Sequence, residues 1–238
     1  HRVLRLSQSG EQLAELGTFG TGAGELNGPA AALRGPDGLI YVLDRGNSRI
    51  VVFTERGAFV RSLGRYGQGS GELSMPSALA FDGSGDLWVA DSFNHRVVIL
   101  DRNSGRQLAA LGRLGDGAED LNAPNGLSVL GDGTVAVLDS GNSRVVLLDR
   151  RGKNHGIVAL RDVAGRRALA PRSMTGDRFG TLYVADANGN ALWRVDTGSE
   201  RRERRNVIVE RRRVTPLHVA LQPGGALYVA AIASGPAA

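Results

Sequence analysis

The chain has 238 residues, of which 42% are apolar and 5% aromatic, with 34 glycines, no cysteine and a formal net charge of +5. The absence of cysteine excludes a disulfide scaffold, a zinc–thiolate site and a cysteine nucleophile, and the composition excludes collagen-like and disordered classes. The apolar content supplies a substantial core, and no apolar run approaches the roughly 18 residues of a membrane-spanning helix. The chain opens at His1 without Met or a signal peptide, as expected of a piece of a longer protein, and SGPAA (234–238) reads as the start of a tail or linker.

The charge is unevenly spread. Residues 200–213, ERRERRNVIVERRR, contain seven Arg and three Glu and carry +4 of the net +5, so the rest of the chain is near neutral. Lys153 is the only lysine among the 29 basic residues, and an Arg bias favours bidentate pairing with carboxylate or phosphate.

Five rows lie end to end, each opening at a proline: Pro29, Pro76, Pro124, Pro171 and Pro216. The first holds LIYVLDRGNSRIVVF (39–53), the second LWVADSFNHRVVIL (87–100), the third VAVLDSGNSRVVLL (135–148), the fourth LYVADANGNALWRV (182–195) and the fifth LYVAA (227–231). Asp44, Asp91, Asp139 and Asp186 follow one another at 47, 48 and 47 residues. A second element leads into three of the prolines: LGTFGTGAGELNGP (16–29), LGRYGQGSGELSMP (63–76) and LGRLGDGAEDLNAP (111–124). Within a row the apolar residues alternate or run in fours to sixes between Gly, Asp, Asn and Ser, which is strand periodicity. Each row predicts four strands, in the first about 30–34, 39–43, 49–53 and 58–63. A four-stranded antiparallel sheet repeated at such a period is a β-propeller blade, so the fold expected is all-β.

Blocks such as VADSFNHRVVILD (89–101) resemble NHL repeats, strongly over residues 13–150, more weakly over 151–198 and poorly after 199. In the fourth row the Asn and Arg positions of the motif hold Gly189 and Ala191, and in the fifth the aspartate position holds Ala231. HRVLRL (1–6) aligns with HRVVIL (95–100) and EQLAELG (11–17) with RQLAALG (106–112). Residues 1–17 are therefore expected to supply the outer strands of a blade whose inner strands are 216–231, closing a single domain over 1–233 and hiding sheet edges. The blades expected are 29–63, 76–111, 124–160, 171–210 and the shared one, five in all. NHL rings commonly have six, so the alternative is a six-bladed ring lacking one blade. A closed ring is expected to be monomeric.

In D-x-G-N-x-R the Asp ends the second strand, Gly and Asn take the turn at positive φ, and Arg opens the third strand. The sets are Asp44, Asn47, Arg49; Asp91, Asn94, Arg96; and Asp139, Asn142, Arg144, each with its Arg expected on its Asp. Because they recur with the fold, they read as structural staples rather than a ring of ligand-binding acids. The G-x-G-x-G stretches at 20–24 and 67–71 lack the following helix that a phosphate loop requires and read as inter-blade turns. Phe19, Tyr66 and Leu114 interchange at one position and read as packing. Ala31, Ala78, Gly126, Ser173 and His218 stand two residues past each proline, near the axis, where His218 breaks a run of small residues.

The turns between second and third strands share a rim with the inter-blade connections, and its unrepeated residues are the candidate binding set: Arg45, Arg65, Phe93, Arg113, Asn125, Arg172 and His218. Arg201, Arg202, Arg204, Arg205, Arg211, Arg212 and Arg213 form a basic ribbon around an expected outer strand, NVIVE (206–210). The ribbon reads either as edge protection or as an electrostatic contact for RNA, an anionic membrane surface or an acidic partner. His1, His95, His155 and His218 are too scattered for a three-histidine zinc site, so no catalytic, metal or cofactor set is assigned. The function expected is a non-catalytic scaffold or sensor module that binds a protein or peptide, as the resemblance implies. Single-stranded RNA binding through the Arg-rich surface is the alternative, and a metal-dependent lyase- or hydrolase-like propeller the weaker one.

Overall fold

The computed structural model describes residues 1–160, 170–186, 191–197, 204–207, 214–221 and 227–233. These fall into two compact units, His1–Leu114 and Gly115–Ala238. No helix of the described residues is long and apolar enough to cross a membrane.

In the first unit, β1 (Val3–Leu6) pairs antiparallel with β2 (Gln12–Leu16). One four-stranded antiparallel sheet follows in the order β3 (Pro29–Arg34), β4 (Ile40–Asp44), β5 (Arg49–Phe53), β6 (Phe59–Leu63). A short parallel pair, β7 (Arg65–Tyr66) and β8 (Glu72–Leu73), precedes the second such sheet: β9 (Ala78–Phe81), β10 (Leu87–Asp91), β11 (Arg96–Leu100), β12 (Gln107–Leu111). In the second unit, β13 (Pro124–Val129), β14 (Val135–Asp139), β15 (Arg144–Leu148) and β16 (Asn154–Ala159) make a third. A fourth joins β17 (Pro171–Gly176), β18 (Thr181–Asp186), β19 (Ala191–Asp196) and β20 (Arg204–Val207). The last ladder is β21 (Val214–Leu221) with β22 (Leu227–Ala233). Thus β1–β2 and β21–β22, the halves expected of a shared blade, are each a two-stranded ladder.

The reason for this layering lies in the strand sequences. The two middle strands of the first three sheets are buried on both faces and so read as unbroken apolar runs, such as Tyr41–Val42–Leu43 against Ile50–Val51–Val52–Phe53. The outer strands cover one face only, and β6 and β12 alternate. One face of the first sheet joins the second in a core of Leu43, Ile50, Val52, Val89, Val98 and Leu100. The other face, Val42, Val51 and Phe53, packs with Leu16 and Leu26. Pro29, Pro124 and Pro171 open their strands, whereas Pro216, expected to open one, lies inside β21. All four stand next to register shifts, Pro29/Ala31, Pro124/Gly126, Pro171/Ser173 and Pro216/His218, where a missing N–H costs no regular ladder bond.

At the hairpin between β3 and β4 the Asp37 carboxylate caps the buried Tyr41, whose hydroxyl donates to Oδ2 at 2.8 Å, and Arg61 donates to the Tyr41 oxygen at 2.9 Å. Asp82 does the same for the Trp88 indole N–H at 3.2 Å. Burial, and then the bond to Asp37, pushes the Tyr41 hydroxyl up to about 12. Burial alone would raise Asp37, but the bonds from the Tyr41 hydroxyl and the Leu39 amide outweigh it and hold its carboxyl below the usual range. Below the unfolded tyrosine value of about 10 both states keep the proton and the stabilisation is complete; as pH rises from there the unfolded chain loses it first and stability falls. Between about pH 9 and about pH 11.5 we expect the wild type to lose about 2 kcal/mol more than Tyr41→Phe, read from urea midpoints. Equal losses in the two proteins would show that the hydroxyl does not carry the effect.

Candidate functional site: a stapled rim

At the end of each second strand an Asp is buried completely: Asp44, Asp91, Asp139 and Asp186. Its Oδ1 reaches back to the loop that leads into the same sheet, accepting the backbone N–H of Asn27 (2.6 Å), Ser74 (2.6 Å), Asn122 (2.7 Å) and Ala170 (2.9 Å) respectively. In the first three, Oδ2 accepts from the motif Arg Nε: Arg49 at 2.9 Å, Arg96 at 2.8 Å and Arg144 at 2.6 Å. The guanidinium then spends its other donors on loop carbonyls, Arg49 on Thr21, Gly22 and Glu25, Arg96 on Gln68, Gly69 and Glu72, and Arg144 on Asp116, Gly117 and Asp120. Asn47, Asn94 and Asn142 bridge the Asp to the carbonyls of Gly20, Gly67 and Gly115. Both carboxylate oxygens are thus occupied by protein donors, and the motif ties a long loop to a short turn.

The turns differ from the sequence expectation in one respect. Arg45–Asn47, Ser92–Asn94 and Ser140–Asn142 are single 3₁₀ turns, and positive φ falls on the residue after Asn, at Ser48 (51°), His95 (52°) and Ser143 (49°). Gly46 and Gly141 serve close approach: a Cβ on Gly46 would stand 2.5 Å from the Asn27 carbonyl oxygen and one on Gly141 2.7 Å from that of Asn122.

The Gly-rich loops hold an anion after all, and it is their own. Glu25 Oε2 accepts the Gly22 N–H at 2.7 Å, Glu72 Oε2 that of Gly69 at 2.9 Å, and Asp120 Oδ2 that of Gly117 at 3.2 Å. Cβ atoms on Gly20 and Gly67 would collide with these carboxylates. The Gly69 amide first, and Arg65 next, hold the Glu72 carboxyl below its usual range. Leu26, Leu73 and Leu121, one residue on, are the buried plugs of the loops.

Phe19, Tyr66 and Leu114, which read as packing residues, are 68%, 75% and 63% exposed, and Phe93 is 61% exposed. The plug leucine fills the core, so the other apolar residue of the loop is left outside. Phe93 and Tyr66 belong to one stapled unit: the Phe93 N–H donates to Ser74 O at 3.2 Å, and Asn94 Nδ2 donates to the carbonyl of Gly67, next to Tyr66. Phe19 meets the His1 ring edge-on at 4.6 Å.

Of the predicted rim residues in the first unit, Arg65 is exposed and forked onto Glu72, with Nε and NH2 each 2.9 Å from Oε1. Arg45 is half-buried, with an Nε that finds no partner among the described residues, and Arg113 is exposed. In the second unit, Arg172 is exposed, while Asn125 is committed to structure, accepting from Ser140 Oγ at 2.5 Å and donating to Pro171 O at 3.5 Å. His218 and the ribbon residues Arg204 and Arg205 are described in backbone only: His218 faces Ala230, and Arg204 and Arg205 already belong to the outermost strand, opposite Val195 and Arg194, two residues earlier than expected. Arg201, Arg202, Arg211, Arg212 and Arg213 lie outside the described residues. His155 lies inside β16, with Nε2 3.4 Å from Thr134 Oγ1. Among the described residues no three His, Asp or Glu gather as a metal-holding group.

Antiparallel four-stranded sheets repeated along the chain, each tied by the Asp that ends its second strand to the loop that leads into it, define a β-propeller. Family models agree: that of a 6-bladed beta-propeller matches residues 30–86 and that of an NHL repeat residues 73–100. These matches support an NHL-repeat β-propeller family. No curated protein matches it in sequence. Among solved structures it is similar to virginiamycin B lyase from Staphylococcus aureus, determined as an inactive variant with quinupristin (TM-score 0.70, 14% identity, 95% of this chain and 75% of that one). It is also similar to a gluconolactonase from Xanthomonas campestris (0.68, 18%, 97% and 75%) and to a chain of a nidogen/laminin complex (0.59, 21%, 79% and 65%). At these identities the likeness is one of fold.

Proposed function

We propose that the protein is a non-catalytic binding module, built on a five-blade plan, that presents the loop rim of its first unit to a protein or peptide. The observation that carries this reading is the set Phe19, Tyr66, Phe93 and Leu114, exposed on loops that buried Asp–Asn–Arg staples hold still. Apolar side chains fixed in water on a rigid frame lose little entropy on binding, and Arg45, Arg65 and Arg113 add hydrogen-bonding charge beside them.

Selection of random displayed peptides on the wild type, counter-screened against the triple variant Phe19→Ser, Tyr66→Ser, Phe93→Ser, tests this. Enriched peptides are expected to lose at least about tenfold in affinity on the variant. Peptides that bind both proteins equally would remove the rim from the reading.

Single-stranded RNA is the second reading, favoured by the same three aromatics, because bases stack on exposed rings beside Arg. Leu114 weighs against it, since the equivalent position on the next loop offers no aromatic face. Titration with random-sequence RNA at two salt concentrations decides: RNA binding is expected to fall steeply with salt, and to collapse either when Arg201, Arg202, Arg204 and Arg205 become Ser or when Arg65 and Arg113 do.

A further inference from the structure

At the opposite ends of the strands from the rim, the β3–β4 and β9–β10 hairpins flank a cleft of about 340 Å³ lined by Arg34, Pro36, Phe81, Asp82, the 83–85 turn and Arg102. The register identifies what is unusual there. Arg34, opposite Ile40, ends its inner strand where the other sheets have Phe81 opposite Leu87, Val129 opposite Val135 and Gly176 opposite Leu182. The fold fills this place with an apolar residue or glycine, so it does not require the arginine.

Arg102 is the second cation. Its Nε is buried with no partner among the described residues, and the one described bond of its five side-chain donors runs from NH1 to Gly85 O at 3.1 Å. A Cβ on Gly85 would stand 2.5 Å from that NH1, so the glycine keeps the guanidinium seated. Arg34 gives its Nε to Glu55 at 2.6 Å and is two-thirds exposed. The acid in the cleft is already spent: Asp82 accepts from the Ser84 and Asp86 amides on one oxygen and from Trp88 on the other. What the cleft offers a ligand is guanidinium charge beside the apolar surface of Phe81 and Pro36.

We propose that this cleft binds an organic anion, a carboxylate or phosphate carried on an apolar body, with Arg102 as the principal ligand and Arg34 as the second. Benzoate and phenyl phosphate, titrated into ¹⁵N-labelled protein against chloride at matched ionic strength, are the probes. Expected are saturable shifts of the Gly83, Ser84 and Gly85 amides with at least one of them, and a dissociation constant raised about tenfold or more in Arg102→Gln. Arg34→Gln is expected to weaken binding in the same direction, and the rim change Arg113→Gln to leave it unaltered. Which probe binds more tightly identifies the head group. Shifts that stay linear and match chloride would overturn the site, as would saturable shifts indifferent to both arginine changes. Should Arg102→Gln fail to fold, the exposed Arg34→Gln decides alone. The rim reading is untouched by either result.

Discussion

Asp91→Ala is expected to lower stability by about 3–5 kcal/mol, read as a fall in the urea midpoint at unchanged m-value. The carboxylate is completely buried and accepts from Ser74 N, Asn94 Nδ2 and Arg96 Nε. Removing it leaves three donors facing a void, one of them on a guanidinium whose side chain is only 14% exposed. Arg96 cannot swing out to water without dropping the carbonyls of Gln68, Gly69 and Glu72, so the charge stays in place unpaired. These contacts tie the 64–76 loop to its sheet beside the Leu73 plug, and their loss should also loosen Tyr66 and Phe93, showing as faster amide exchange across the loop. Arg96→Ala alone removes the charge together with its bonds, and the double variant is expected to cost clearly less than the two single losses combined. A loss within about 1 kcal/mol for Asp91→Ala would mean that the staple is ornamental and that apolar burial alone orders the loop.

The blades were legible because the same physical requirement is written several times. Strand periodicity in one row is ambiguous; recurring with Asp44, Asp91 and Asp139 in register, it is not. The pairing of each Asp with its Arg was legible for the same reason. What the pattern hid was the cause behind a residue. Gly46 occupies a turn, and a turn glycine suggests positive φ; the structure gives positive φ to Ser48 and uses the glycine to let a carbonyl approach. Tyr66 and Leu73 stand in one long loop, and sequence offers no means of telling the plug from the exposed one, since both are merely hydrophobic among glycines. The cleft at Arg34 and Arg102 was hidden for a third reason, that its residues come from two sheets; only the misfit of Arg34 in its column was there to be noticed.

Gly46→Phe is expected to destabilise the protein by about 2–3 kcal/mol, and Asn27→Ser in the same chain to recover most of that loss. The second row already contains the solution. Where the first has Gly46 facing Asn27 and the third Gly141 facing Asn122, the second has Phe93 facing Ser74. The turn N–H lies 2.8 Å from the loop carbonyl oxygen in the two glycine rows and 3.2 Å in the phenylalanine row, so a side chain on the turn makes the loop stand back. A Cβ on Gly46 would meet not only the Asn27 carbonyl oxygen at 2.5 Å but also the Asn27 side chain, at 2.8 Å from Cγ and 2.9 Å from Nδ2. Serine removes the amide and gives the loop room to retreat, as Ser74 does opposite Phe93. Thermal melts of the single and double variants measure the coupling directly. Additive losses would show that Ser74 and Phe93 are independent choices; recovery would show that the second loop was reshaped around its aromatic. The double variant would then carry a new exposed ring on the first turn, beside Arg45, and if the rim binds peptides as proposed, its affinity for them should change while that of Asn27→Ser does not.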